Sequence, residues 1–268
     1  AAGGAGWQLA EWIVEGEPGI DMLGVDPRRF GPYTGKRYTV RKNEETYRNV
    51  FTIHYPDEER EDARPAKTSA VYEKLSRMGA VWGQRYGWER ANWFAPPGVP
   101  RKDAWSFRRT NYFEPVGEEC RRMREAVGVI DLTPFTKHEV SGPGAEAWLD
   151  SLVANKVPVK PGRITLCHAL TKNGGIRSEF TITKLAEHRY YVVSAGAGER
   201  YDSDYLHKML PGDASVELAN VTTRRGTYVV AGPNARAVLE QLTDAALDNA
   251  NFPWLSGRAI EVALATDV

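Results

Sequence analysis

Glu179 has the setting in this chain that most invites chemistry. It stands in Asn173-Gly174-Gly175-Ile176-Arg177-Ser178-Glu179-Phe180-Thr181-Ile182-Thr183. The Gly174-Gly175 pair permits the positive φ of a hairpin turn. In the strand that follows, Phe180 and Ile182 share one face, while Arg177, Glu179, Thr181 and Thr183 share the other. A carboxylate just past a turn, flanked by Phe180 and Ile176, suits the rim of a pocket, where its ionisation is tunable for proton transfer. The same pattern also describes a solvent-facing glutamate on an amphipathic strand, and the pattern alone leaves both readings open.

A second candidate lies at the start. Gly3-Gly4-Ala5-Gly6 leads into Trp7-Gln8-Leu9-Ala10-Glu11-Trp12-Ile13-Val14, where Leu9, Trp12 and Ile13 recur at helical spacing. A glycine-rich turn at a helix start leaves free N–H groups and a positive dipole end, suited to an anionic or electron-rich ligand. A plain glycine-rich turn explains it equally well. The five histidines, His54, His138, His168, His188 and His207, show no paired spacing, and Cys120 and Cys167 form neither a CxxC nor a Cys/His set. No metal site is therefore expected, and two cysteines without a disulfide framework point to a reducing compartment. No GxSxG, P-loop or complete GxGxxG is present, which leaves serine-nucleophile and NTPase readings without support.

The charge balance removes other classes. The chain has 268 residues, with 35 Lys+Arg against 35 Asp+Glu. Binding to nucleic acid rests on an excess of basic groups over phosphates, so no such partner is expected. Short basic clusters at Arg108-Arg109, Arg121-Arg122 and Arg224-Arg225 read as solvated or paired surface. No run of about 18 apolar residues exists, so no helix spanning a membrane is expected, nor is a signal peptide visible. The first residue is Ala1 rather than methionine, and the last alternating segment, residues 259–264, reads as a strand about to continue; both ends look cut.

Several elements must position these residues. Residues 19–115 are irregular and rich in aromatics such as Tyr33, Trp82, Trp88, Trp93 and Trp105, a composition suited to wrapping over a larger neighbour. Within it, 70–78 suits a short helix, and the charged stretch 57–62 is expected at the surface. From residue 116 the texture changes: Val116, Cys120, Met123, Val127 and Ile130 predict one helix with an apolar stripe. Strands are expected at 137–141, 164–170, 179–185, 190–194, 216–219 and 227–230. Helices are expected from 145, around 201–209 and from 235. Helices interleaved with hairpin-like strands favour an α+β sandwich over a doubly wound parallel fold.

Five blocks, in order, resemble a known family. Ala2-Gly3-Gly4-Ala5-Gly6-Trp7-Gln8-Leu9-Ala10-Glu11-Trp12 resembles the last FAD-contacting turn and helix of glycine-oxidase-like flavoproteins. Arg64-Pro65-Ala66-Lys67-Thr68-Ser69, with Gly87-Trp88-Glu89-Arg90-Ala91-Asn92-Trp93-Phe94, is similar to the central segment of dimethylglycine and sarcosine dehydrogenases. Gly128-Val129-Ile130-Asp131-Leu132-Thr133-Pro134-Phe135-Thr136-Lys137, then Val140-Ser141-Gly142-Pro143-Gly144-Ala145-Glu146, resembles the start of the folate-binding domain of the glycine-cleavage T-protein, an aminomethyltransferase. The Gly174–Thr181 stretch and Ala231-Gly232-Pro233-Asn234-Ala235-Arg236 follow in the same order.

The resemblance implies an α+β chain. It would comprise the tail of a flavoprotein oxidoreductase domain (1–30), that domain's aromatic-rich central segment (31–115), and an incomplete T-protein-like folate-binding domain of helices on mostly antiparallel sheet (116–268). It implies FAD and tetrahydrofolate as cofactors, a small methylated amine of the dimethylglycine or sarcosine class as substrate, and an electron-acceptor protein as a further partner. An N-methyl group would be oxidised to an iminium, and tetrahydrofolate would capture the one-carbon unit. Gly4 and Gly6, with Trp7, would lie against the flavin. Glu179 would contact the folate and manage its proton, in a cavity helped by Asp131, Thr133, Phe135 and Leu170. Bacterial cytoplasm or mitochondrial matrix is the implied location. Two departures stand out: Ala91 replaces a proline usual in the family, and Ala169 stands where methionine is common. Because the dinucleotide fingerprint would precede Ala1 and part of the folate pocket would follow Val268, these 268 residues alone are expected to hold neither cofactor well. Two other readings stay open: a folate-dependent aminomethyl or methyltransferase, and a non-catalytic folate-binding module.

Overall fold

The glycine run does not form a turn. In the computed structural model, which describes residues 2–266 and 268, helix α1 (Ala2–Glu15) already includes Gly3, Gly4 and Gly6. It ends where Gly16 takes φ +81° and donates its N–H to the Trp12 carbonyl at 3.0 Å, a left-handed cap that glycine adopts at little cost. None of its residues is fully buried; Trp12 of its apolar stripe is half-buried, with the Arg28 guanidinium 4.9 Å from its ring centre.

The stretch expected to be irregular contains more order than its composition suggests. Helix α2 (Lys36–Arg48) is held by its contacts more than by an apolar stripe. Its Glu45 is buried, accepts the backbone N–H groups of Glu61 and Asp62 at 2.7 and 2.9 Å, and pairs with Lys42 at 3.0 Å. The acidic run 57–62 is thereby drawn against the fold and is not simply solvated: Glu59 accepts the Gln84 N–H at 2.6 Å. After the short helix α3 (Tyr72–Arg77), strands β1 (Ala80–Arg85) and β2 (Trp88–Phe94) make an antiparallel hairpin. Glu89 is buried and held by Arg64 through both carboxylate oxygens, at 3.0 and 2.6 Å, a two-pronged geometry that offsets the cost of removing both charges from water. Trp93, also buried, donates its indole N–H to Asp103 at 2.8 Å.

Helix α4 (Phe113–Glu125) corrects the helix expected across 116–130. It stops at Glu125. Residues Gly128–Asp131 form strand β3, which pairs antiparallel with β9 (Tyr228–Ala231), so Val127 and Ile130 of the apparent helical stripe leave the helix. β-Branched residues at 127, 129 and 130 favour that strand.

The largest element is a five-stranded antiparallel sheet with strands β4 (Thr136–Ser141), β5 (Ile164–Leu170), β6 (Ile176–Ala186), β7 (Arg189–Ser194) and β8 (Glu217–Asn220), in the order β5-β6-β7-β4-β8. Helices α5 (Ala145–Leu152) and α6 (Glu199–Lys208) cover one face. Trp148, Leu149 and Leu152 of α5 and Leu206 of α6 pack on Val140, Cys167, Ala169, Phe180, Ile182, Tyr190 and Val192. Burying one such aliphatic or aromatic side chain contributes about 1.5–3 kcal/mol, and this cluster is the main store of stability. Gly142, at φ +113°, lies in the turn that leads into α5, where a Cβ would collide with the Ser215 carbonyl oxygen. The α+β expectation of helices on antiparallel sheet therefore describes the chain. Helix α7 (Ala235–Leu239) is shorter than its pattern suggests. The strand expected at 259–264 is absent: that segment has turns and one isolated bridge, Val262 with Ala265.

Candidate functional site

The β5–β6 hairpin sets the position of Glu179. Gly174 takes φ +80° in the turn, its N–H bonded to the Thr171 carbonyl at 2.9 Å, while Thr171 N–H returns to the Gly175 carbonyl at 2.8 Å. The register then places Glu179 directly opposite His168. Cys167, Ala169, Phe180 and Ile182 point into the core. Alternation therefore sends His168 and Glu179 to the opposite, open face, where His168 Nε2 lies 3.3 Å from Glu179 Oε2. The Glu179 side chain retains 62% of its exposure and that of His168 30%. The carboxylate thus stands on an open surface and not inside a closed pocket.

A β-bulge corrects one feature of the strand pattern. Leu170 pairs with Ile176 and Ala169 with Ser178, so Arg177 is left without a cross-strand partner. The extra residue re-aims its side chain. Arg177 does not join Glu179; its guanidinium lies 4.4 Å from the ring centres of both Tyr201 and Tyr205 on α6, and 3.6 Å from the Glu17 carboxylate. Ser178 points the same way and donates to buried Asp202 at 2.6 Å, as does Ser194 at 2.6 Å. Burial raises the Asp202 carboxyl above its ordinary value, and the two hydroxyls with Arg177 act in the other direction.

Asp131 ends β3, and Thr133 and Phe135 lie in the connection from it to β4. Asp131 accepts the Thr133 N–H at 2.9 Å and the hydroxyl of Ser69. Thr133 is buried and Phe135 half-buried. Beneath them Lys137 is fully buried, and its Nζ donates to the carbonyls of Thr133 at 2.6 Å, Phe135 at 2.7 Å and Thr222 at 3.2 Å. Burial lowers its pKa from 10.5 to about 8, and Glu199 and Asp131 oppose that fall. Three acceptors match the three N–H groups of an ammonium, so the charged form fits the cage. On the covered face, burial with His207 nearby lowers the pKa of His138 to about 4; its Nε2 lies 2.9 Å from Ser203 Oγ.

The strand register brings part of the expected set together. Leu166, Thr181, Val193 and Lys137 form one cross-strand row. Continued one step, the row of His168 and Glu179 points toward Phe135. Glu179, Leu170 and the Asp131–Phe135 connection therefore share one end of the sheet. Leu170 is 42% exposed at the rim of that end.

Gly4, Gly6 and Trp7 belong elsewhere. Gly4 and Trp7, with Ala5, Gln8, Ile20, Asp21, Met22, Gly24 and Val25, line a mainly apolar cleft of about 550 Å³, and Gly6 is not part of its lining. Gly3 and Gly4 lie in the first turn of α1, whose N–H groups have no acceptor within the helix, whereas Gly6 lies deeper in it; no glycine-rich loop precedes them among the described residues. The cleft supplies an apolar wall that fits one face of a flat ring, not a complete dinucleotide site. The open end of the sheet supplies a carboxylate, an imidazole and the apolar side chains of Leu166, Leu170 and Ile176, a donor set that fits one wall of a site for a polar heterocycle. Among the described residues, no group of three His, Cys, Asp or Glu is placed to hold a metal, and no helix is long and apolar enough to cross a membrane.

Ion pairs join the segment before residue 70 to the sheet domain: Glu17 with Arg177 and Lys172, Arg28 with Asp204, and Lys67 with Glu199. None of these partners was singled out from sequence. The His168–Glu179 pair was also missed: counting outward from Gly174-Gly175 sets Glu179 opposite Leu170, and the register of the folded hairpin with its bulge sets it opposite His168.

A two-layer α+β domain of helices on an antiparallel sheet, tied by ion pairs to a helical N-terminal segment, is the class that fold and site define. The chain belongs to the family described as the GCVT N-terminal domain, whose pattern matches residues 71–268. Residues 15–69 match the FAD dependent oxidoreductase central domain. Mitochondrial dimethylglycine dehydrogenase of Rattus norvegicus is 35% identical over 263 residues, covering 98% of this chain and 31% of the relative. The mitochondrial pyruvate dehydrogenase phosphatase regulatory subunit of Mus musculus is 30% identical over 272 residues, covering 99% and 31%. The solved glycine cleavage system aminomethyltransferase T from Bartonella henselae has the same fold, with a TM-score of 0.59 at 23% identity, covering 73% of this chain and 48% of that one. The chain spans about 31% of the length of the two relatives named.

Proposed function

We propose that this chain is the junction of an FAD-dependent N-demethylating oxidoreductase of the dimethylglycine/sarcosine type, which delivers a one-carbon unit to tetrahydrofolate. The observation that carries the proposal is the continuity of two patterns in one polypeptide, an FAD oxidoreductase central domain at 15–69 and a GCVT domain at 71–268. The flavin supplies oxidation of the N-methyl group when bound, and the folate accepts the carbon. In this reading Trp7 and the Gly4–Gly6 face border the flavin side. Glu179 accepts or holds a proton at the folate side, flanked by Leu170 and the connection carrying Asp131, Thr133 and Phe135. A carboxylate suits that step because a folate nitrogen must lose and regain protons beside a cationic partner. The substrate class, an electron-acceptor protein, and a location in bacterial cytoplasm or mitochondrial matrix belong to the same proposal; the rat relative's name places it in mitochondria.

The test uses the complete gene product with dimethylglycine and tetrahydrofolate. Glu179→Gln should leave flavin reduction at the parent rate and slow capture of the one-carbon unit about 100-fold, so that formaldehyde is released in its place. Unchanged capture would remove Glu179 from the chemistry. A second reading, a non-catalytic regulatory module, is favoured by the similarity to the phosphatase regulatory subunit. Absence of flavin reduction by any methylated amine, with the fold intact, would select it.

A further inference from the structure

We infer that His168 is a positioning residue for Glu179, holding the carboxylate in the one orientation from which it can serve the folate side. The inference rests on the proposed role of Glu179 and extends it to a residue that neither the motif nor the family pattern singled out.

The argument begins with the register. His168 and Glu179 are direct partners in the β5–β6 pair, and such partners have Cβ atoms about 4.5–5.5 Å apart. Both leave the sheet on the open face, because their chain neighbours Cys167, Ala169 and Phe180 are buried in the core. The Nε2–Oε2 separation is 3.3 Å. An ionised carboxylate only accepts, so Nε2 must carry the hydrogen and donate it. No other side chain among the described residues bonds Glu179.

Exposure makes the partner matter. With 62% of its side chain exposed, Glu179 lacks the packing that would fix its rotamers. A glutamate has three side-chain torsions, and a free one samples many orientations at little cost. His168 is only 30% exposed and sits on the edge strand β5, where its carbonyl accepts the Ala154 N–H at 2.9 Å on the outer side. The stiffer ring is the anchor and the longer chain is what it anchors. The hairpin turn adds rigidity, since Gly174 and Gly175 are both bonded to Thr171. The arrangement matches the general layout of a proton-handling group oriented by a second hydrogen-bonding group.

Alternative roles for the pair explain less. As a surface ion pair it would contribute little to stability, within about 1 kcal/mol. The neighbours Leu166, Leu170 and Ile176 are apolar and exposed at 46, 42 and 69%, so the pair, with Thr181 as the next polar side chain on that face of β6, borders an apolar patch. A polar pair beside such a patch suits the orientation of a ligand more than the support of a fold.

The experiment uses the complete flavin-loaded gene product, with dimethylglycine and tetrahydrofolate as probes, and four variants: His168→Leu, His168→Gln, Glu179→Gln and the double His168→Leu/Glu179→Gln. Flavin reduction, one-carbon capture and tetrahydrofolate affinity are measured separately. His168→Leu should slow capture about tenfold, the scale expected when a reacting group loses its alignment, with flavin reduction and folate affinity unchanged. His168→Gln, which keeps an N–H donor, should recover most of the rate. The double variant should be no slower than Glu179→Gln alone, because His168 acts only through Glu179. If His168→Leu captures at the parent rate while Glu179→Gln is slow, the positioning role is wrong and the function of Glu179 stands. Multiplying effects in the double variant would also overturn it. If Glu179→Gln has no effect, the underlying reading fails as well, so the two failures are told apart.

Discussion

The two faces of the five-stranded sheet are built from alternating residues of the same strands, yet they do opposite things. On the covered face, Phe180, Ile182, Val192 and Val140 are sealed beneath α5 and α6, and the polar groups there are neutral or matched: His138 with Ser203, Asp202 with two serines. On the open face, His168, Glu179 and Leu166 remain in reach of water. The lesson is that, beyond the bulge at Arg177, parity along β6 alone decides whether a side chain is sealed in the core or left open to a ligand.

The largest test of that division is Phe180→Ala, next to Glu179 in sequence but on the covered face. It should destabilise the fold by about 3–5 kcal/mol in chemical denaturation. A loss under about 1 kcal/mol would mean that the covered face is not the store of stability. Acid titration follows. His138 is held near 4 against 6.5 in the unfolded chain, so the unfolded chain binds the proton first. Its contribution is complete above pH 6.5 and is lost as the pH falls toward 4, up to about 3 kcal/mol. Denaturation midpoints measured across that window should show the fall, and it should flatten in His138→Phe. Ser178→Ala comes next: it removes one donor to buried Asp202 and should cost about 1–3 kcal/mol. The smallest expected stability effect is Glu179→Gln, within about 0.5 kcal/mol of the parent in the same denaturation experiment, as for an exposed position away from the core. A large loss there would collapse the contrast between the faces.

Much of the sheet domain was legible because its strands alternate strictly and its glycine turns mark their ends; the expected 164–170 strand coincides with β5. Three features were not. The helical period of Val116, Cys120 and Met123 runs on by chance into Val127 and Ile130, but β3 finds a partner in β9, about 100 residues away in sequence, and tertiary pairing outweighs the local period. The bulge that turns Arg177 toward α6 carries no sequence mark, because it depends on the register shift between Ala169 and Leu170. Helix α2 has no apolar stripe to reveal it and is secured by Glu45 accepting from the 61–62 backbone. At the site, the candidate carboxylate could be read from the turn, whereas its imidazole neighbour needed the register.

The caged amine of Lys137 has a practical consequence. With no surface of its own and every hydrogen directed at a carbonyl, it should be the slowest lysine in the chain to react with an acylating reagent. Its labelling can proceed only when the β3–β4 connection lifts away from Thr222. Mass-spectrometric tracking of that single acylation would therefore act as a clock for opening at this end of the sheet, running fast in variants that loosen the connection and slow when a ligand clamps it shut.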